Sequence, residues 1–276
     1  MNPTIRLVAT DIDGTLADPV GRLTDRTLQV LNAVHDAGIA VTLVTGLNPW
    51  VARRYADTIG PWAHAICLNG IFRLNQGRTL PGMYLDPATA REAVALILDQ
   101  GFIPLVYGDD QVSRYLPRRA EGMGEVAKLI DERPFQPYVP VDTPEALFAV
   151  RPAQVSVCDT GQRGERLHPQ LAEALGSRAY VILQPGARTW VEVNHLDARK
   201  DRSLLALAES LDIAPDEIVY FGDSLNDLPV FENLPYAVAM GNARPEVKRL
   251  AWKTTTSNAE DGVATFLAQH FRLDLG

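Results

Sequence analysis

Ile5-Arg6-Leu7-Val8-Ala9-Thr10-Asp11-Ile12-Asp13-Gly14-Thr15 is the stretch on which the reading of this chain turns. The run over 5–9 is short and apolar, and just past it stands a carboxylate, Asp11. Asp11 and Asp13 flank the apolar Ile12. In extended chain, where the side-chain period is two, both point to one side. Gly14-Thr15 then turns the chain tightly and brings backbone N–H groups towards whatever the carboxylates hold. Two carboxylates kept this close repel, so the place needs a cation or a proton.

Outward from this stretch a rhythm develops. Thr24 is placed to cap a helix in which Leu28, Leu31 and Val34 share a face, and Gly38 to close it. Residues 39–44 form another continuous apolar strand, followed by Thr45-Gly46 and a helical pattern over 51–59. Residues 63–68 read as a third strand ending at Asn69-Gly70. Continuous apolar strands separated by helices mean a parallel sheet covered on both faces. After about Trp190 the rhythm returns: Leu204, Leu207, Ala208 and Leu211 line a helix, 217–221 is a strand ending at Gly222-Asp223, 225–232 is helical, and 236–240 is another strand.

Between these halves the pattern changes, near residue 80. Asp86-Pro87 is a helix-start signal, and Ala90, Ala93, Val94, Ile97 and Leu98 make one apolar stripe. Strand-like segments follow at 102–107, 112–115, 154–157 and 180–183, and helix-like ones at 122–131, 144–150 and 169–175. Prolines crowd between Pro134 and Pro152, the mark of irregular connections. The expectation is an α/β protein whose parallel-sheet core, residues 1–80 and 190–276, carries an inserted α+β cap domain over 81–189.

At 276 residues and 46% hydrophobic content the chain is long enough for one large domain plus a smaller one. No stretch approaches the apolar length of a membrane span, and the N-terminus lacks the features of a signal peptide. Cys67 and Cys158 are too few for a disulfide framework and fit a reducing cytoplasm. A net charge of −8 argues against a general nucleic-acid surface. A cytoplasmic protein with no membrane and no nucleic-acid partner is expected; oligomeric state is not legible.

In an open α/β sheet, ligands bind outside the carboxyl ends of the strands. Asp11, Thr45, Asn69 and Asp223 each lie just past an apolar run, so four polar residues from distant parts of the chain meet on one edge. Asp223, with Asp227 in the following turn, joins Asp11 and Asp13 in a hard, oxygen-rich site suited to magnesium. Lys200, at the start of a helix, supplies a fixed positive charge. These parts suit phosphoryl transfer. Attack by one carboxylate on phosphorus gives an aspartyl phosphate and splits a slow hydrolysis into two easier steps. Mg2+ and Lys200 balance charge on the phosphoryl oxygens, while Asp13 protonates the leaving oxygen and then helps water attack. The uncatalysed reaction calls for an acceleration approaching about 10²¹, so positioning and charge must act together.

At Asp11-Ile12-Asp13-Gly14-Thr15 the chain resembles the haloacid dehalogenase superfamily, whose phosphatases open with D-x-D-G-T. Thr45-Gly46, Lys200 and Gly222-Asp223-Ser224-Leu225-Asn226-Asp227 follow in order. The last is similar to the G-D-S-x-N-D of the Cof-type branch, as are Cys67-Leu68-Asn69-Gly70, Met240-Gly241-Asn242-Ala243 and Glu260-Asp261-Gly262-Val263. The resemblance implies a Rossmann-like core with an inserted cap that sets substrate selection. It implies that Asp11, the backbone carbonyl of Asp13, and Asp223 hold magnesium, with Asp227 as ligand or support. Thr45, Gly46, Lys200 and Asn226 would contact phosphate, and a small phosphorylated metabolite, a sugar phosphate above all, would be the substrate. Leu47 follows Gly46 where the family often has Arg, with Arg53 or Arg54 as substitutes; Asp201 follows Lys200 where Gly is common, with Arg199 as a rival cation.

Plainer readings stand beside these. Asp-x-Asp alone is usually a solvated turn or cap, and Asp223 alone a helix N-cap. Thr45 also reads as the cap of the next helix, Lys200 as an exposed helix lysine, and Asn69-Gly70 as the turn of a hairpin. In the cap, Tyr107, Arg114, Arg118, Arg119 and Arg188 are candidate substrate contacts. The competing functions are a phosphomutase with the same nucleophile, a phospho-acceptor signalling module, and a silent binding protein.

Overall fold

The computed structural model describes residues 3–75, 78–80, 82–117, 123–159, 163–186 and 188–273. The chain forms two compact units, Met1–Pro81 with Arg199–Gly276, and Gly82–Ala198.

The first unit opens with β1 (Leu7–Thr10), α1 (Asp25–Asp36), β2 (Ala40–Val44), α2 (Pro49–Ile59), β3 (His64–Cys67), β4 (Phe72–Asn75) and β5 (Arg78–Leu80). Thr24 caps α1, its hydroxyl accepting the Thr27 N–H at 3.1 Å, and Val30, Leu31 and Val34 are buried along one stripe. α2 starts at Asn48-Pro49: the Asn48 side chain accepts from the N–H groups of Trp50 and Val51, and proline in the first turn has no N–H to strand there. The cap of α2 is therefore Asn48, and Thr45 is released from that role.

The second unit comprises α3 (Pro87–Asp99), β6 (Leu105–Gly108), β7 (Ser113–Tyr115), α4 (Met123–Glu132), β8 (Tyr138–Pro140), β9 (Pro152–Asp159), α5 (Arg163–Leu175), β10 (Tyr180–Gln184) and β11 (Thr189–Asn194). Its six strands run in the order β10-β11-β9-β6-β7-β8 and pair antiparallel except β7 with β8. Val155 and Val157 of β9 and Val191 and Val193 of β11 pack on one face with Ala93 and Ile97 of α3 and Leu167 and Leu171 of α5. Two elements differ from the sequence pattern. α5 begins six residues before Pro169 rather than at it; Leu167, Leu171 and Leu175 are buried at helical spacing, and Pro169 sits on the exposed face. β11 belongs to this sheet, because it pairs with both β9 and β10.

The first unit resumes with α6 (Lys200–Ser210), β12 (Ile218–Gly222), α7 (Leu228–Asn233), β13 (Ala237–Ala239), α8 (Pro245–Leu250), β14 (Lys253–Thr254) and α9 (Gly262–Phe271). Its sheet order is β14-β13-β12-β1-β2-β3-β4-β5. All pairs from β14 to β3 are parallel, and β4 and β5 are added antiparallel. From β1 the chain moves through β2 and β3 to one side, and it returns through β12, β13 and β14 on the other. The order thus reverses between β1 and β12, which is where open α/β sheets leave a crevice for ligands. Among the described residues no helix is long and apolar enough to cross a membrane.

Candidate active site

The nucleophile candidate stands in that crevice. The Asp11 N–H donates to the Phe221 carbonyl at 2.9 Å, so the ladder with β12 carries Asp11 to the end of β1. Its carboxylate is buried, with Oδ1 accepting the Ile12 N–H at 2.8 Å and Oδ2 3.1 Å from Lys200 Nζ. The chain then turns tightly, the Ala17 N–H closing on the Ile12 carbonyl at 2.9 Å, and this turn leaves Asp13 exposed while Ile12 is buried. Gly14 has φ +73°, and a Cβ there would lie 2.5 Å from Asp223 Oδ2, so both backbone and space demand glycine. Thr15 donates its hydroxyl to Asp223 Oδ1 at 3.0 Å.

Asp227 organises the other wall. Its Oδ2 accepts the N–H groups of Asp223 and Ser224, both at 2.9 Å, fixing the turn that presents Asp223. Its Oδ1 accepts the Tyr220 hydroxyl at 2.6 Å and the Lys200 ammonium at 2.7 Å. Lys200 is wholly buried, against the reading of an exposed helix lysine. Its depth comes from the start of α6, which lies against the Asn69-Gly70 turn. Ser203 donates to the Gly70 carbonyl at 3.0 Å, and a Cβ on Gly70 would come 2.8 Å from the Arg199 carbonyl. Arg199 pairs with Asp201, at 3.0 Å from Nε, and is drawn off as a rival cation.

The remaining phosphate candidates form a chain across the strand ends. The Thr45 carbonyl accepts the Asn69 N–H at 3.0 Å, and Asn69 Oδ1 accepts from Asn226 Nδ2 at 2.9 Å. The Thr45 hydroxyl accepts the Leu47 N–H at 3.0 Å, curling the backbone around the half-buried Gly46. Asn69-Gly70 also leads into the β3–β4 hairpin, as its turn reading expects. Arg53 is tied to Thr79 on β5 at 3.1 Å.

Residues near the C-terminus brace the Asp11 turn. Asn242 donates to the Gly14 carbonyl at 2.7 Å and accepts the Asn258 N–H at 3.0 Å, while Asn258 donates to the Ala17 carbonyl at 2.9 Å. Asp261, in the left-handed conformation, accepts from Thr24 at 2.8 Å. The sequence reading flags 240–243 and 260–263 without a role for them, and Asn258 lies outside both. Tyr220 was missed altogether, since an aromatic residue in a central strand ordinarily reads as core.

Burial pushes the Asp11 carboxyl well above the ordinary carboxylate range; Lys200 acts against this, and Asp227, Asp223 and Asp13 reinforce it. Asp223 is raised to about 7, by burial first and the Asp227 charge next. Burial pulls the Lys200 ammonium down, but Asp11 and Asp227 together outweigh it and hold it above its ordinary value. Burial, then the Asp227 charge, keeps the Tyr220 phenol protonated. Oxygens of Asp11, Asp223 and Asp227 lie within 4.8 Å of one another. Three carboxylates facing one ammonium, all hard oxygen donors, fit a divalent cation such as Mg2+. Asp11 and Asp223 are the carboxylates best suited to hold it, because the lone pairs of Asp227 are already taken by the donors named above.

The structure thus brings Asp11, Lys200, Asp223 and Asp227 together, links Asn226 to Asn69 and Thr45, and keeps Asp13 in the same turn as Asp11. The second unit's candidates fare differently. Arg114 pairs with Asp110, Arg188 with Glu132, and Tyr107 is buried in β6; Arg118 and Arg119 lie outside the described residues.

A family profile described as haloacid dehalogenase-like hydrolase matches residues 8–267. The 5-amino-6-(5-phospho-D-ribitylamino)uracil phosphatase YwtE of Bacillus subtilis is 27% identical over 281 residues, covering 96% of this chain and 98% of that protein. The HMP-PP phosphatase of Enterobacter sp. is 27% identical over 246 residues, covering 88% of this chain and 86% of its own. Among solved structures, a haloacid dehalogenase-like hydrolase from Bacteroides thetaiotaomicron superposes with a TM-score of 0.80 at 20% identity, over 96% of this chain and 99% of that one. At that identity the likeness speaks for the fold.

Proposed function

Because the chain belongs to the haloacid dehalogenase-like hydrolase family, we propose that it is a magnesium-dependent phosphomonoester hydrolase that works through an aspartyl phosphate on Asp11. The observation that carries this reading is Lys200, buried between Asp11 and Asp227 at the sheet's switch point, with Asp223 beside them. A carboxylate held against an ammonium in a buried crevice is placed to meet a phosphoryl group whose charge the ammonium can share.

In the first step an Asp11 oxygen bonds to phosphorus as the bond to the leaving oxygen breaks, and Asp13 gives that oxygen its proton. Exposure suits Asp13 to exchange protons with water between steps. In the second step water attacks phosphorus, Asp13 takes the proton, and the bond to Asp11 breaks to release inorganic phosphate. Lys200, the Asn226 amide and the Thr45-Gly46 turn hold the phosphoryl oxygens. Magnesium held by Asp11, Asp223 and the Asp13 backbone carbonyl would neutralise phosphoryl charge. Asp227 fixes Asp223 and Lys200 in place.

The substrate is a small phosphorylated metabolite, a sugar phosphate in particular. Two relatives are named as phosphatases of small phosphorylated compounds, one of them bearing its phosphate on a ribityl chain. Selection is assigned to the unit Gly82–Ala198, whose sheet carries buried polar side chains, Gln154, Ser156, Glu192 and Asn194, on the face opposite the valine core. A cytoplasmic setting goes with this reading, since Cys67 and Cys158 are both free.

The test is chemical trapping. During turnover of a phosphorylated sugar, rapid quench and borohydride reduction should convert Asp11 to homoserine, and Asp11→Asn should abolish phosphate release with the fold intact. Turnover by Asp11→Asn, or trapping at another residue, would remove Asp11 from its role. Phosphate release only with a bisphosphate activator would mark a mutase instead.

A further inference from the structure

We propose that Tyr220 is a positioning residue for this reaction, its hydroxyl occupying an oxygen of Asp227 so that the Lys200 ammonium stays shared with Asp11 and directed at the phosphoryl group. The inference rests on the reading of Asp11 as nucleophile.

Tyr220 lies in β12, fully buried, with its ring edge-on to Phe231 at 5.9 Å between centroids. Its hydroxyl reaches Asp227 Oδ1 at 2.6 Å, the same oxygen that Lys200 Nζ reaches at 2.7 Å, while Asp11 Oδ2 is 3.1 Å from Nζ. An ammonium has three N–H groups. Two are directed at these carboxylates, and among the contacts of the described residues the third is left for a phosphoryl oxygen. How the ammonium divides between its partners depends on how well each carboxylate is otherwise satisfied, because in a buried site an unmet acceptor is costly. Asp227 Oδ2 is met by two backbone N–H groups. Oδ1 has only Tyr220 and Lys200 among the hydrogen bonds described. Without the phenol, Lys200 would be the sole donor to that oxygen. It would settle towards Asp227, away from Asp11 and the reacting phosphorus. Packing alone does not require this hydroxyl, since phenylalanine would fill the same space against Phe231.

Tyr220→Phe removes one oxygen and keeps the ring. With p-nitrophenyl phosphate and magnesium, kcat should fall about tenfold while KM moves less than about twofold. In protein carrying ¹⁵N-lysine, and without substrate, the buried Lys200 ammonium resonance should shift. Combined with Asp227→Asn, the tyrosine change should add almost nothing, because both act on one oxygen. A lowered melting temperature with kcat within about twofold of the parent and an unmoved resonance would reduce Tyr220 to packing and overturn the proposal. Should Tyr220→Phe fail to fold, Asp227→Asn alone carries the test, and an unmoved Lys200 resonance there overturns the shared-ammonium picture. Asp11→Asn run in parallel separates the failures: an active Asp11→Asn sinks the nucleophile, whereas an inactive one beside an unaffected Tyr220→Phe sinks only this inference.

Discussion

In the eight-stranded sheet the polar side chains of the site stand beyond the strand ends, whereas in the six-stranded sheet the buried polar side chains stand inside the strands. Asp11, Thr45 and Asn69 follow β1, β2 and β3, and Asp223 follows β12. Those strands are buried almost throughout, and parallel pairing fixes where each one stops. Gln154 and Ser156 of β9 face the same way as Asn194 and Glu192 of β11, and the intervening valines face the other. Moving a polar group in the first sheet means moving a strand. Changing one in the second disturbs a buried side-chain pair, such as Gln154 with Asn194 at 2.9 Å, and leaves the ladder alone. The proposed chemistry is thus assigned to strand ends that parallel pairing holds in place, and the proposed selection to side chains within an antiparallel sheet.

The contrast breaks first at Asp13. Asp13→Ala should slow an alkyl phosphate by about 10²–10⁴-fold and an activated aryl phosphate far less, since the latter's leaving group needs no proton. Equal losses on both would remove the acid role. Next comes Lys200→Met, expected to cut turnover about 10²–10³-fold. It should also lower the melting temperature, because deleting one partner of a buried ion pair typically costs about 3–5 kcal/mol. Normal stability in that variant would mean that Asp11 and Asp227 find another counter-charge.

Leu147, wholly buried in the valine core of the second unit, sharpens the comparison from the other side. Leu147→Ala should cost that unit about 2–5 kcal/mol while the first unit's calorimetric transition and the rate on p-nitrophenyl phosphate stay put. A parallel fall in that rate would deny the division of labour. The smallest effect expected is on pH. Asp223 is raised to about 7 from an ordinary 3.8, so the ion-free fold keeps a proton that the unfolded chain loses. Its contribution to stability therefore declines as pH rises through that window. Magnesium must displace that proton, so the gain in Tm on adding it should be larger at about pH 8 than at about pH 5. An equal gain at both would take Asp223 out of the cation's reach.

Much of the site was legible because it obeys one rule, that polar residues just past apolar parallel strands converge. Asp11 and Asp223 could be paired from sequence on that ground, and Lys200 followed as their counter-charge. What escaped was set by contacts that a strand pattern does not record. Tyr220 reads as core because only its terminal oxygen does anything polar. The burial of Lys200 depends on a glycine, Gly70, that admits the start of α6. The expected boundary between 189 and 190 falls inside β11, whose place in the second sheet is set by pairing with β9 and β10, which local composition does not record. Pro169 looked like a beginning, yet the leucines around it hold α5 together past its missing N–H.

The central place of β1 has a consequence for how the protein is made. The strand bearing Asp11 leaves the ribosome some two hundred residues before β12, which flanks it, and longer still before Asn242 and Asn258, which brace its turn. Translation at roughly 5–20 residues per second leaves the newborn strand half-paired for tens of seconds. Through that interval its apolar edge is open to other nascent chains, so chaperone cover during synthesis should matter more for this protein's yield than its final stability does.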